Sequence, residues 1–147
     1  EVDVGEVSAQ VQMELEFLDV EDVWQRSGPT GYGYVDPGDA AWEMFEEALR
    51  PFQEEVQKYQ RLAMYDQAKL FCMGILKGIY EFDKESTTEY KEWAVDAAGE
   101  YFAEVLDNWS KSSTKVGDRK EMRKFIEAHC PDWAQWALRS LQSRRST

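Results

Sequence analysis

Residues 65–82, YDQAKLFCMGILKGIYEF, decide the fold, because they are apolar nearly all the way round at helical spacing. A helix of that kind cannot lie on a surface, so the stretch predicts a central helix enclosed by its neighbours. Gly74 and Gly78 stand four apart on one face of it. Each glycine costs a helix about 1 kcal/mol relative to alanine, and the expected return is close approach of a neighbouring helix backbone.

Upstream, a short turn is expected near Ala63, preceded by a helix whose apolar positions Trp42, Phe45, Leu49, Phe52, Val56 and Tyr59 step by three and four. Asp39 is placed to cap it. Pro51 removes the amide that would bond to Glu47, so a kink or break is expected near Leu49. Downstream, Ser86, Thr87 or Thr88 opens a third long helix, with Tyr90, Trp93, Ala94, Ala97, Ala98, Tyr101, Phe102, Val105, Leu106 and Trp109 as a wide apolar band. The band is small in the middle and aromatic at its ends. That taper suits a neighbour crossing near Ala97 and Ala98, with the glycines of the central helix a candidate for the crossing.

Residues 110–117, SKSSTKVG, read as a polar linker. Asp118 and Glu121 have capping-box spacing and open a helix running through Phe125 and Ile126 to His129. Pro131 ends it, and Asp132 is placed to cap a last helix bearing Trp133, Trp136, Ala137 and Leu141, before a fraying tail at 143–147. At the other end, residues 27–39, SGPTGYGYVDPGD, carry four glycines and two prolines and read as a loop. Residues 1–26 stay open. Val11, Met13, Leu15 and Phe17 alternate as in a strand, while Val7, Val11, Leu15 and Leu18 follow helical spacing. The fold class is therefore all-α, built of antiparallel helical hairpins, with an irregular or short β N-terminal segment. One structural domain is expected, comprising an N-terminal segment and Gly/Pro/Tyr loop over 1–40 and a helical part over 41–147.

A chain of 147 residues is long enough to bury about 70% of the surface its unfolded form exposes. Six Trp, seven Tyr and seven Phe supply a core that needs neither metal nor disulfide, since each buried aromatic removes about 150–250 Å² from water. The two cysteines, Cys72 and Cys130, have the placement of reduced thiols in an intracellular protein. No signal peptide and no run of about 20 apolar residues is present; neither secretion nor membrane spanning is expected, and the chain reads as cytoplasmic. It starts at Glu1 without a methionine, as expected of a region within a longer polypeptide.

The formal net charge of −12 is unevenly spread, with −12 over residues 1–60, −5 over 61–110 and +5 over 111–147. An acidic body repels phosphates and anionic lipid. The basic C-terminal part is expected to dock on that body, and nucleic-acid contact is not expected of this chain.

Candidate chemistry is sparse. His129, Cys130 and Asp132 form HCPD, yet a zinc site needs about four ligands with paired spacing, and neighbours at a helix end rarely point toward one another; His129 is expected to face free carbonyls at the helix C-terminus. Glu43, Glu46, Glu47, Glu54 and Glu55 read as a solvated face, with Glu54 and Lys58 an i,i+4 pair. No ExxH motif accompanies them. The loop's glycines lack the lysine and hydroxyl residue of a phosphate loop. Tyr32 and Tyr34 either cover the helical core, the favoured role, or present an amphipathic surface to a partner. Trp133 and Trp136, followed by Arg139, Arg144 and Arg145, could stack on single strands, but their spacing of three favours packing. No cofactor, metal or catalytic residue is assigned. The candidate partner-binding residues are Tyr32, Tyr34, Trp133 and Trp136.

Two resemblances extend this reading. Residues 46–78, and LAMYDQAKLFCMGIL at 62–76 in particular, resemble a tetratricopeptide-type helical hairpin, with Ala68 at the small position where two helices close; the third helix does not repeat the pattern. More broadly, Asp22 to Trp109 resembles the helical region that accompanies the zinc-binding module of prokaryotic SWIM zinc finger proteins, through VDPGDAAWEMFEEALRPF, GILKGIYEF and EYKEWAVDAAGEYFAEVLDNW. The cysteine and histidine ligands of that module are absent from these residues, so the resemblance carries no zinc site here. The leading expectation, resting on the large aromatic core, the acidic surface and the lack of a catalytic set, is a non-enzymatic, tetratricopeptide-like scaffold mediating protein contacts, as part of a larger SWIM-type protein. The alternative is a nucleic-acid-associated accessory region using the basic C-terminal end.

Overall fold

The computed structural model describes residues 1–112 and 115–145, for 140 and 142–145 the backbone alone. The chain runs through α1 (Val4–Glu16), α2 (Val20–Arg26), β1 (Gly28–Thr30), β2 (Gly33–Val35), α3 (Pro37–Arg61) and α4 (Tyr65–Glu85). A 3-10 turn over Glu89–Trp93 then leads to α5 (Ala97–Lys111), α6 (Val116–His129) and α7 (Pro131–Arg145). The fold is all-α with a short β segment, and among the described residues no helix is long and apolar enough to cross a membrane.

Helix α4 is the axis of the fold, as its apolar circumference requires. Ala68, Cys72, Ile75, Leu76, Ile79 and Phe82 are closed to water on it, and α1, α3, α5 and α6 all lie against it. The two glycines do admit a neighbouring backbone, but that neighbour is α1 rather than α5. A Cβ on Gly74 would fall 2.5 Å from the Cβ of Val7 and 3.1 Å from the Val4 carbonyl oxygen; one on Gly78 would fall 2.7 Å from the Cβ of Val11 and 2.8 Å from the Ser8 carbonyl oxygen. The open reading of residues 1–26 thus resolves to two helices. The helical set Val7, Val11 and Leu15 is buried while Met13 and Phe17 of the alternating set are exposed, and Asp3 caps α1 by accepting the Glu6 amide at 3.0 Å. Valines spaced by four seat their ridge in the glycine groove, a packing no strand could match.

Helices α3 and α4 form an antiparallel hairpin, with Phe45 against Phe82 and Phe52 against Phe71. The turn closes as a Schellman motif: the Met64 amide donates to the Tyr59 carbonyl at 2.8 Å and the Ala63 amide to Gln60 at 3.0 Å. Ala63 takes a φ of 58° there, in the left-handed region. Helix α3 is continuous through Pro51, so no break occurs near Leu49. Its cap is Asp36, not Asp39: the Asp36 carboxylate accepts the Gly38 amide at 2.8 Å, and Pro37 takes the first turn, where its missing amide costs nothing. The glycine-rich loop is shorter than expected and folds into the β1–β2 hairpin, pairing Gly28 with Val35 and Thr30 with Gly33.

The expected third helix is split. Tyr90 and Trp93 belong to the 3-10 turn, and Asp96 is the residue before α5. Tertiary contacts hold the turn, since the Tyr90 hydroxyl donates to the Ala41 carbonyl and the Trp93 ring meets Trp24 edge-on at 4.6 Å. Helix α5 then runs parallel to α3, with Tyr101 stacked on Phe45 at 5.4 Å and Asn108 donating to Gln53 at 3.1 Å.

The C-terminal pair corrects three further expectations. Helix α6 starts at Val116, and Asp118 does not cap it. Helix α7 starts at Pro131, and Asp132 lies in its first turn, ion-paired to Lys84 at 2.9 Å. Ion pairs of the opposite sense to the expected one join this part to the body, acids Asp118, Glu121 and Asp132 meeting the body's Lys69 and Lys84, while the basic Arg119 donates to the Ser110 carbonyl at 3.3 Å. Of the expected fraying tail, 143–145 continue α7, whereas Ser146 and Thr147, like Ser113 and Thr114 of the linker, lie outside the described residues.

Candidate functional site

A groove of about 410 Å³ opens where the end of α4 and the first turns of α5 meet α7. Asp83, Val95, Asp96, Gly99, Glu100, Ala103, Trp133 and Trp136 line it. Trp133 is half-buried and packs edge-on against Tyr80 and Phe102, each with ring centres 5.1 Å away, at interplanar angles of 90° and 82°. Trp136 follows one turn later with its ring 5.8 Å from Trp133 and more than a third of its surface in water. The floor is open because Gly99 has no side chain; a Cβ there would meet only the Trp136 ring, at 3.9 Å.

Three carboxylates stand at the rim: Asp83 on the last turn of α4, Asp96 before α5, and Glu100 on its first turn. Among the described residues none has a Lys or Arg nitrogen within ion-pairing distance, and Asp96 makes no side-chain capping bond. Two lysines adjoining the groove in sequence are engaged elsewhere. Lys84 is bound to Asp132, which holds the Asp132 carboxyl below the usual range and raises Lys84. Lys91 donates to the backbone carbonyls of Asp83 at 2.7 Å and Ser86 at 2.8 Å.

The second pair of candidate residues lies on the hairpin. Tyr32 is 104% exposed and Tyr34 71% exposed, so neither covers the helical core and the favoured expectation fails. The tight turn holds them out: the Thr30 hydroxyl donates to the Gly33 carbonyl at 2.6 Å and accepts the Tyr32 amide at 3.1 Å. Neither tyrosine is among the residues that line the groove with Trp133 and Trp136.

The HCPD residues also diverge. His129 is exposed against the Phe125 ring, 4.5 Å away. Cys130 is closed to water, and burial pushes its thiol up to about 12. Asp132 turns to Lys84. Burial raises the Cys72 thiol as well, so both cysteines, which are free, are held neutral. On α3, Glu43 and Glu47 face Arg26, Glu46 pairs with Arg50, and Lys58 pairs with Glu55 at 2.9 Å rather than with Glu54. No group of three potential metal ligands occurs among the described residues. Of the expected basic patch, the side chains of Arg144 and Arg145 lie outside the described residues.

Sequence reasoning missed one constellation. Lys69, on the apolar central helix, is nearly closed to water and donates to Asp118 at 3.3 Å and Glu121 at 3.0 Å. Burial works to lower its pKa, and the hydrogen bonds and charges of Glu121 and Asp118 outweigh that and raise it. The signal was present as Lys69, one of two lysines within the apolar stretch, and two acids three apart, and those acids have a capping box's spacing too. The group ties α6 to α4 with its charges satisfied, and is structural.

Compared with known proteins, the chain matches no family model, no curated protein and no solved structure.

Proposed function

We propose that the chain is a non-enzymatic, tetratricopeptide-like helical scaffold that makes contacts with another protein in the cytoplasm, as the helical region of a SWIM-type zinc finger protein. The observation that carries this reading is the β1–β2 hairpin, which holds Tyr32 and Tyr34 clear of the body. Tyrosine gives large, amphipathic contact area at small cost in side-chain entropy, and aromatic side chains left in water beside a satisfied core are what a partner would cover. Supporting it, both thiols are locked neutral in the core, away from the pKa a nucleophile needs. The antiparallel α3–α4 hairpin, with Ala68 on α4 closed to water, favours the tetratricopeptide comparison. Two unpaired buried cysteines accord with a reducing compartment.

The test is quantitative affinity capture from cell lysate with the wild-type chain beside the double variant Tyr32→Ser, Tyr34→Ser, which leaves the core untouched. A protein enriched by the wild type and lost with the variant is expected. Capture of no protein above background defeats the reading. Binding to single-stranded nucleic acid at low salt that weakens steeply as salt rises would instead favour the basic end, where Lys115, Lys120 and Lys124 are exposed.

A further inference from the structure

We infer that the groove between α5 and α7 is a docking site for an arginine side chain on a basic segment of a partner protein, an inference that rests on the protein-contact reading. Its lining joins two features that a guanidinium uses together. Trp133 and Trp136 supply indole surface, on which a planar guanidinium stacks by cation–π attraction. Asp83, Asp96 and Glu100 supply carboxylates, which it grips through paired N–H donors. The volume of about 410 Å³ lies toward the low end of the roughly 300–1,000 Å³ of small-ligand sites, room for one long side chain and its flanking backbone.

The charges of the surroundings favour a cation. The positive ends of the α5 and α7 dipoles lie at the groove and oppose it with about half a unit of charge each, while the negative end of α4 supports it. The three carboxylates then decide the sign, because the chain's own cations nearby, Lys84 and Lys91, are bound to Asp132 and to backbone carbonyls. A net charge of −12 draws a basic segment toward the surface and rejects phosphate. Lysine would satisfy the carboxylates but lacks the planar face, so arginine is the better occupant.

The experiment uses a seven-residue peptide alternating glycine and arginine, beside the same peptide with lysine and with citrulline, which keeps the planar head but not its charge. Binding to the whole chain is followed by the indole N–H resonances of Trp133 and Trp136. Arginine is expected to bind and shift both resonances, lysine to bind more weakly, and citrulline to lose about tenfold or more in affinity. Glu100→Gln, an exposed change that cannot unfold the chain, should weaken the arginine peptide severalfold. Gly99→Leu should block it by filling the floor. The inference is overturned by absence of binding, by citrulline binding as well as arginine, or by binding indifferent to Glu100→Gln. Should the peptide fail while capture through Tyr32 and Tyr34 persists, the groove assignment falls and the protein-contact reading stands.

Discussion

Lys69 on α4 and Asp118 on α6 face each other with Nζ and Oδ1 3.3 Å apart, at 6% and 9% residue exposure. A charge so enclosed is stable only while its partner is in place. The second carboxylate, Glu121, is mostly in water, and Asp66 stands 3.7 Å away and more exposed still. Asp118 is therefore the member whose loss strands the lysine.

Asp118→Ala is expected to destabilise the fold by roughly 2–3 kcal/mol, somewhat below the cost of breaking an isolated buried pair because Glu121 remains. The double change Lys69→Met, Asp118→Leu removes both charges and should recover most of that loss. Urea denaturation followed by circular dichroism checks both. Equal loss in single and double variants would mean that α6 is held by shape and not by this pair.

Alanine at Gly74 or Gly78 should lower stability although alanine is the better helix former. The gain of about 1 kcal/mol in propensity is set against an added carbon 2.5 Å from Val7 or 2.8 Å from the Ser8 carbonyl, and overpacking costs about 1–3 kcal/mol. Val7→Ala gives little relief for Gly74→Ala, since the Cβ of Val7 is itself in the way. Gly99→Ala is the control: with only Trp136 at 3.9 Å, it should stabilise by about 0.5–1 kcal/mol. Thermal unfolding of the three variants distinguishes close approach from a general intolerance of change.

The same residues show what could be read in advance. Gly74 and Gly78 announce a close neighbour, but not which one, because Val7, Val11 and Leu15 share their segment with an alternating set and the choice is made only by the groove they fill. The split near Ala94 left no trace in the apolar band, since steps of three in a 3-10 turn and of three to four in an α-helix keep Tyr90, Trp93 and Ala97 in phase. Asp118 and Glu121 fit two roles with one spacing, and Lys69, far away in sequence, settles it. The partner candidates differ in exposure for a similar reason. A spacing of three puts Trp133 and Trp136 on one face, yet whether that face is filled depends on Gly99, which carries no signal of its own.

The turn between α3 and α4 offers a stabilising change. Ala63 holds the left-handed position of a Schellman motif, at a φ of 58°, where glycine is the unstrained residue. Ala63→Gly is expected to raise stability by about 0.5–1 kcal/mol, the relief of the left-handed strain less the added freedom of the unfolded chain. A rise in urea midpoint at unchanged slope would show it; a fall would mean that the side chain contributes packing worth more than the strain.

Stability should decline on the alkaline side because several enclosed groups hold their protons more tightly folded than unfolded. Burial raises the thiols of Cys72 and Cys130 and the phenol of Tyr90, the last helped by the nearby Tyr101; for Lys69, burial opposes the rise and its acidic partners prevail. For each, the contribution is complete below the unfolded-state pKa, the lowest being the thiols' ordinary value of 9.0. Above it the unfolded chain gives up protons that the folded chain retains, so the unfolded state gains and stability falls with pH. For Cys130 the decline extends to its folded value of about 12. Asp132, held low by Lys84, contributes in the opposite sense, its share present above the ordinary carboxyl range and lost as pH falls through the folded value. Urea midpoints between about pH 7 and 11 should therefore fall increasingly above pH 9, and Cys130→Ala, though less stable at neutral pH for the volume it removes, should show a shallower fall. A Cys130→Ala slope equal to the wild type's would show that the thiol gives up its proton alike in the folded and the unfolded chain, its burial notwithstanding.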